Sequence, residues 1–179
     1  MAKLPDPTGS LDPQAKKLYD EMLAKRGSLD GMYGAMFNHP ALVEHVGQLG
    51  SYLRFEATLP GEIRELAILL VARRQKAAYE WVKHAPPARQ AGLSEAVIEA
   101  VREEKDLSAF SPLYPKISQT VDLVLAEQSL PGALQSELEK TLGLPGVLEL
   151  VILIGFYRMI AGFIFAFDVA LPADATRPF

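Results

Sequence analysis

Four side chains in one stretch of the sequence carry the groups needed to move a proton: Glu65, Tyr79, Glu80 and His84, all between Leu59 and Ser94. Ala77, Glu80 and His84 fall at i, i+3 and i+7 and so share one face of a helix, with Tyr79 just off that face. Glu65 belongs to the preceding helix, among residues apolar enough to be buried, and a buried carboxylate needs a partner. His84 and Tyr79 are the candidates for that role. A carboxylate that orients an imidazole, with a second carboxylate nearby, makes a proton-transfer set suited to neutral pH. In that reading His84 is the general acid/base, Glu65 orients it, and Tyr79 and Glu80 complete the relay. Arg73 and Arg74 are candidates to bind a substrate carboxylate, whose geometry a guanidinium matches. Trp81 is a candidate substrate platform. The same spacings also describe structure alone. Glu80 and His84 at i, i+4 fit a surface pair, Glu65 fits a partner of Arg64 or Arg73, and Trp81 fits a core residue. Adjacent arginines at a helix end also fit a solvated face that favours the helix dipole.

Two helices must position these groups. The first, from Pro60 to about Gln75, carries Ile63, Leu66, Ala67, Leu69, Leu70, Val71 and Ala72, a density that requires deep burial. The second runs from about Ala77 to Ala91 and stops at Gly92, a natural residue past a helix end. The rest of the chain reads as packing for that pair. Ser10 or Asp12 caps a helix from Pro13 to about Lys25, which Arg26-Gly27 ends. Residues 28–38 form an irregular apolar loop, either a lid or a segment packed on the core. A helix follows from Pro40 to about Ala57, and Ser94 caps a short one from Glu95 to Glu103. After a loop at 105–115, Ile117 to Leu125 marks a helix closed by Pro131, and Leu134 to Leu142 a further short one. A long apolar helix then starts at Pro145. Residues 1–10 read as a loose arm and the tail from Leu171 to Phe179 as irregular. No stretch alternates as a strand between turn signals, so the expected fold class is all-α.

The segment Leu59-Pro60-Gly61 to Leu70 is echoed by Leu144-Pro145-Gly146 to Ile154 with one residue deleted. Glu65 then aligns with Glu149, and Arg74 with Arg158. An internal duplication and convergence on one helix-start pattern both account for the echo. Either way the expectation is a single domain over 1–179, with its core at 38–103, an N-terminal helix and loop at 1–37 and C-terminal helices at 104–179.

Composition removes several classes of function. With 179 residues, 49% hydrophobic and 22% charged, the chain has the make-up of one globular domain. A net charge of −4 argues against a nucleic-acid partner, which would need a concentrated basic face. The absence of cysteine removes disulfides, thiolate metal sites and thiol catalysis, and fits a reducing, cytoplasmic setting. Met1-Ala2-Lys3-Leu4-Pro5-Asp6-Pro7 lacks the apolar stretch of a secretory signal. The span from Val147 to Leu171 is apolar nearly all round but is interrupted by Glu149, Arg158 and Asp168. It therefore reads as a helix buried in the core or between subunits, with no membrane partner. His39 and His45 lack ligand-like spacing, so no metal is expected, and no phosphate loop, dinucleotide fingerprint or nucleophile elbow is present.

Arg64-Glu65-Leu66-Ala67-Ile68-Leu69, Tyr79-Glu80-Trp81, His84, Ala88 and Ala91-Gly92-Leu93-Ser94 resemble the carboxymuconolactone decarboxylase family, which includes the AhpD-like alkylhydroperoxidases. The match covers about residues 38–103. Glu149-Leu150-Val151, Gly155-Phe156-Tyr157-Arg158 and Ala166-Phe167-Asp168-Val169 resemble its longer members. The resemblance implies an AhpD-like all-helical fold and a homo-oligomer, commonly a trimer or hexamer. In the peroxidase branch two cysteines fall where this chain has Ala77 and Glu80, with the family histidine on His84 and glutamate on Glu65. Both sulfurs are missing, and with them the disulfide cycle of a peroxidase. What the resemblance leaves is a cofactor-independent lyase or isomerase acting on a small carboxylated or lactone-like substrate. The alternative is an oligomeric scaffold or small-ligand binder that lost the thiols.

Overall fold

A computed structural model describes residues 4–179; residues 1–3 of the expected N-terminal arm lie outside the described residues. The described residues are helical, with no strand among them. After a 3₁₀ turn at Thr8–Ser10 come α1 (Pro13–Arg26), α2 (Met32–Met36), α3 (Pro40–Ser51), α4 (Gly61–Arg74), α5 (Ala78–Gln90), α6 (Glu95–Arg102), α7 (Tyr114–Leu125) and α8 (Gly132–Ala166). The caps follow local chemistry. The Asp12 side chain accepts from the Ala15 backbone N–H at the start of α1, and Ser94 accepts from Val97 at the start of α6.

At the centre lies α4. Its residues from Leu66 to Ala72 are buried without a break, because α5, α6, α7 and α8 pack around it. The chain leaves α4 through Gln75, turns at Lys76 in the left-handed region (φ 54°), and enters α5 at once. Glu65 and His84 lie at comparable distances before and after that turn, so doubling back brings them level. Within α5, Pro86 and Pro87 have no N–H to give to the carbonyls one turn earlier, yet the helix continues to Gln90.

The structure departs from the sequence reading in four places, each with a local cause. The 28–38 segment contains a short helix, α2, entered through Gly31 at φ 83°. The end of the expected 40–57 helix widens into a π-helical turn, Tyr52–Glu56, in which the Ala57 N–H reaches back to the Tyr52 carbonyl. Pro131 does not close α7 but stands at the N-terminus of α8. And α8 joins two expected helices into one bent element, broken only at Gly143, whose backbone (φ 69°, ψ 164°) no helix contains.

Beyond that break α8 is apolar nearly all round but covered on one side only. Leu150, Leu153, Ile154, Ile160 and Ala161 face the core, whereas Leu144, Leu148, Ile152, Met159 and Phe165 are about half exposed or more. By length and composition this helix is long enough to cross a membrane; more than half of its most apolar window is buried inside the protein.

Candidate active site

Glu65 and His84 meet as the sequence suggested. His84 Nδ1 stands 2.8 Å from Glu65 Oε2, and both side chains are buried. Glu65 also accepts from Arg64 Nε at 3.3 Å. Burial would raise the Glu65 carboxyl, but the hydrogen bond and charge of His84, with the charges of Arg64 and Arg54, hold it below its ordinary value. A carboxylate there fixes the imidazole with its proton on Nδ1.

The other ring nitrogen faces a residue from a distant part of the chain. Tyr157 Oη on α8 lies 3.1 Å from His84 Nε2, and the two rings meet edge to face. Burial first, and then the charge of Glu65, push the Tyr157 hydroxyl well above its ordinary value despite Arg54. It therefore stays protonated and donates to Nε2. Arg64, Glu65, His84 and Tyr157 form one hydrogen-bonded chain across α4, α5 and α8.

This chain ends on a cleft of about 290 Å³, small for a ligand pocket. His84, Tyr157 and Glu80 line it, together with Met32 and Tyr33 of α2. Three cations line it: Arg26 at the end of α1, Arg54 on the π-helical turn and Lys83 on α5. Arg26 is tethered, since its Nη2 donates to the Gly47 carbonyl and to Ser51 Oγ, and its guanidinium stacks on Tyr33. Among the described residues neither Arg54 nor Lys83 forms an ion pair with a carboxylate.

Glu80 is the anomaly. It is only 2% exposed, and neither carboxyl oxygen has a hydrogen-bond partner. Burial pushes its carboxyl well above the ordinary carboxylate range. The i, i+4 pair with His84 does not form, because His84 is taken by Glu65 and Tyr157.

The remaining expected site residues go elsewhere. Tyr79 Oη donates to the Asp30 carbonyl at 2.9 Å and accepts from the Met32 N–H at 3.3 Å, so it anchors the 28–38 segment and does not touch Glu65 or His84. Gly31 is required there, since a Cβ would sit 2.2 Å from the Tyr79 hydroxyl. Arg73 binds the Arg102 carbonyl and Glu104, and Arg74 binds Asp122 and Glu104; both lie outside the cleft. Trp81 is buried against Phe179 and is a core residue. The 28–38 segment is both wall and packing: Met32 and Tyr33 line the cleft, while Leu29 and Phe37 fill the core.

Sequence reasoning missed Tyr157, Arg26, Arg54 and Lys83 as site residues. A tyrosine inside a largely apolar helix needs a partner for its hydroxyl, which was the available signal for Tyr157. Arg26 and Arg54 carry no such signal, since a basic residue near a helix end is ordinary. No cluster of ligand-type side chains suited to a metal occurs among the described residues. The chain matches no protein-family model and no curated protein.

Proposed function

We propose that this protein is a cysteine-free, carboxymuconolactone decarboxylase-like enzyme: a cofactor-independent lyase or isomerase acting on a small carboxylated or lactone-like substrate. The observation that carries the reading is the Glu65–His84–Tyr157 chain opening on a cleft lined by Arg26, Arg54 and Lys83. A substrate carboxylate would sit on the unpaired charges of Arg54 and Lys83, in place of Arg73 and Arg74. His84 would exchange a proton with substrate carbon at Nε2, either directly on displacing the Tyr157 hydroxyl or through it. Glu65 would stabilise the imidazolium formed on the way. In a decarboxylation, the bond to the carboxylate carbon breaks and carbon dioxide leaves. Its electron pair passes into the conjugated carbonyl system, and carbon takes a proton from His84 Nε2, which solvent has protonated beforehand and protonates again for the next turnover.

The protein acts as a homo-oligomer in this reading, a trimer or hexamer in the cytoplasm. The half-exposed stripe Leu144, Leu148, Ile152, Met159 and Phe165 supports that part, because so long an apolar ridge is unusual on a monomer. The same stripe suits the alternative of an oligomeric scaffold or small-ligand binder.

Solvent-deuterium exchange separates the two. Carboxylated lactones with an acidic C–H next to the carbonyl are incubated with wild type and His84→Ala, and exchange is followed by NMR. The expected result is exchange by the wild type that falls roughly 10²–10⁴-fold in the variant, the usual contribution of a positioned acid/base. No exchange by the wild type, with His84→Ala merely less stable, would make His84 a structural partner of Glu65.

A further inference from the structure

Among the described residues, the buried side-chain polar atoms left without a hydrogen bond are Arg26 Nε and the two carboxyl oxygens of Glu80. Both residues line the one cleft on which the proton-transfer chain opens. Buried polar groups are normally satisfied, and each one left open costs free energy, so the coincidence needs an explanation. The open atoms are also of defined chemistry. Arg26 Nε is a donor only. An ionised Glu80 with no partner in a buried setting would be prohibitively unfavourable, so its carboxyl is held as the acid. It then presents an O–H donor for which the protein supplies no acceptor. Burial as the dominant influence on its carboxyl agrees with this. Both open groups therefore ask for acceptor oxygens, beside two cations that ask for negative charge.

Resting on the acid–base reading above, we infer that the cleft selects an anion carrying a carbonyl oxygen as well as its carboxylate, the carboxylate lying on Arg54 and Lys83 and the carbonyl accepting the acid proton of Glu80. The Arg26 Nε–H is a second fixed donor for the same oxygens. Glu80 is a recognition residue in this arrangement: it donates a hydrogen bond, and no bond to its own oxygens forms or breaks. The arrangement gives the conjugated carbonyl a donor at the position where negative charge gathers when a neighbouring C–H or C–C bond gives up its electrons. It also explains why a residue so unfavourable to the empty fold occupies the buried first turn of α5.

The test uses three probes of similar size: a five-membered lactone carrying a carboxylate, cyclopentanecarboxylate, which lacks the carbonyl, and the unsubstituted lactone, which lacks the charge. Calorimetry on the wild type should rank the lactone acid about tenfold tighter than the carbocyclic acid, the worth of one hydrogen bond to an otherwise unpaired buried donor. Glu80→Leu should erase that ratio, weakening the lactone acid and leaving the carbocycle within about twofold. Its thermal midpoint should equal or exceed that of the wild type, because an apolar group of similar size removes an unpaired polar one. Glu80→Gln keeps an N–H donor and should hold most of the ratio. An independent readout does not depend on the leucine variant folding. Infrared spectra of the ligand-free wild type should show the carbonyl stretch of a protonated carboxyl that Glu80→Gln removes. That band should shift when the lactone acid binds and not when the carbocycle binds.

A ratio that survives in Glu80→Leu, absence of the protonated-carboxyl band, or failure of the lactone acid to bind would each overturn the inference. Failure of the acid–base reading looks different: the ratio and the band behave as described, yet no deuterium enters the bound lactone acid. Conversely, exchange with a ratio that ignores Glu80 would keep the reaction and discard this role.

Discussion

Glu65 on α4 and Glu149 on α8 hold the same place in two echoing segments, and both are buried, yet their surroundings differ in kind. Four donors converge on Glu149: the Tyr52 hydroxyl, the Thr58 N–H and hydroxyl, and the Leu59 N–H. Burial would raise its carboxyl, but those hydrogen bonds more than offset it and hold the group below its ordinary value. None of the four donors gives up its proton near neutral pH. Glu149 is thereby a clamp, fixing the chain between the π-helical turn and the start of α4 against α8. Glu65 instead has a histidine as its main partner, with a tyrosine and a cleft beyond it. Burial alone does not make a carboxylate functional. What separates the two is whether the partner can exchange a proton and whether that partner is open to a ligand.

The comparison breaks first, and most visibly, on removal of each glutamate. Glu149→Ala leaves its four donors facing an empty space and should cost about 3 kcal/mol or more. For a chain of this length that lowers the thermal midpoint by roughly 6–12 °C. Glu65→Gln keeps the shape and one hydrogen bond to the imidazole, so it should cost only about 1–2 kcal/mol while suppressing deuterium exchange. Paired melting curves and exchange rates decide the matter. Equal loss of stability with no separate effect on exchange would put the two glutamates back in one structural class.

The sequence showed one half of this contrast more clearly than the other. The all-α class, the burial of α4 and the turn between α4 and α5 followed from apolar density and local signals, and they were enough to bring Glu65 to His84. The echo also placed Glu149 opposite Glu65. It could not show that Glu149 has only fixed donors, because Tyr52 and Thr58 reach it through a π-helical turn, and the sequence carries no period for such a turn. The Tyr157 contact spans 73 residues and depends on how α8 packs against α4, which no local pattern encodes. Tyr79 went astray for a related reason. Its spacing sets it beside the shared face of α5, but Gly31 lets the 28–38 segment approach closely enough to take its hydroxyl.

A smaller effect sharpens the comparison through pH, with Glu80 as a third buried carboxyl. Glu149 and Glu65 have lowered carboxyls in the folded protein, so each adds stability that is present above the ordinary carboxylate range and lost as pH falls through the lowered value. Glu80 is raised, so the sign reverses: its acid form is matched in folded and unfolded chains at low pH. As pH rises above the ordinary carboxylate range only the unfolded chain ionises, and stability declines until the raised value is passed. The other titratable and charged groups of the cleft (Arg26, Asp30, Tyr33, Arg54, Tyr79, Lys83, His84 and Tyr157), with Glu65 behind His84, are common to wild type and variant. The difference in unfolding free energy between Glu80→Gln and wild type should therefore grow in the variant's favour from pH 4 toward pH 8. A flat difference would mean that Glu80 is ionised in the folded protein.

The smallest effects fall on the other pair that the echo aligns, Arg74 and Arg158. Arg74 reaches Asp122 at 2.8 Å with Glu104 nearby, and Arg158 reaches Glu127 at 3.1 Å from a more exposed position. Both are surface ion pairs tying a long central helix to α7 or the segment after it, and such pairs contribute little once solvent screening and side-chain ordering are counted. Arg74→Ala should cost about 0.5–1 kcal/mol, since two carboxylates lose one partner, and Arg158→Ala about 0–0.5 kcal/mol. High salt should shrink both values. Neither change should alter affinity for the lactone acid, because both guanidinium groups lie outside the cleft, whereas Arg54→Ala should weaken it. If Arg74→Ala weakened binding as much as Arg54→Ala, the arginines at the end of α4 would return as the carboxylate site. The division between a structural and a working half of each echoing segment would then have to be redrawn around them.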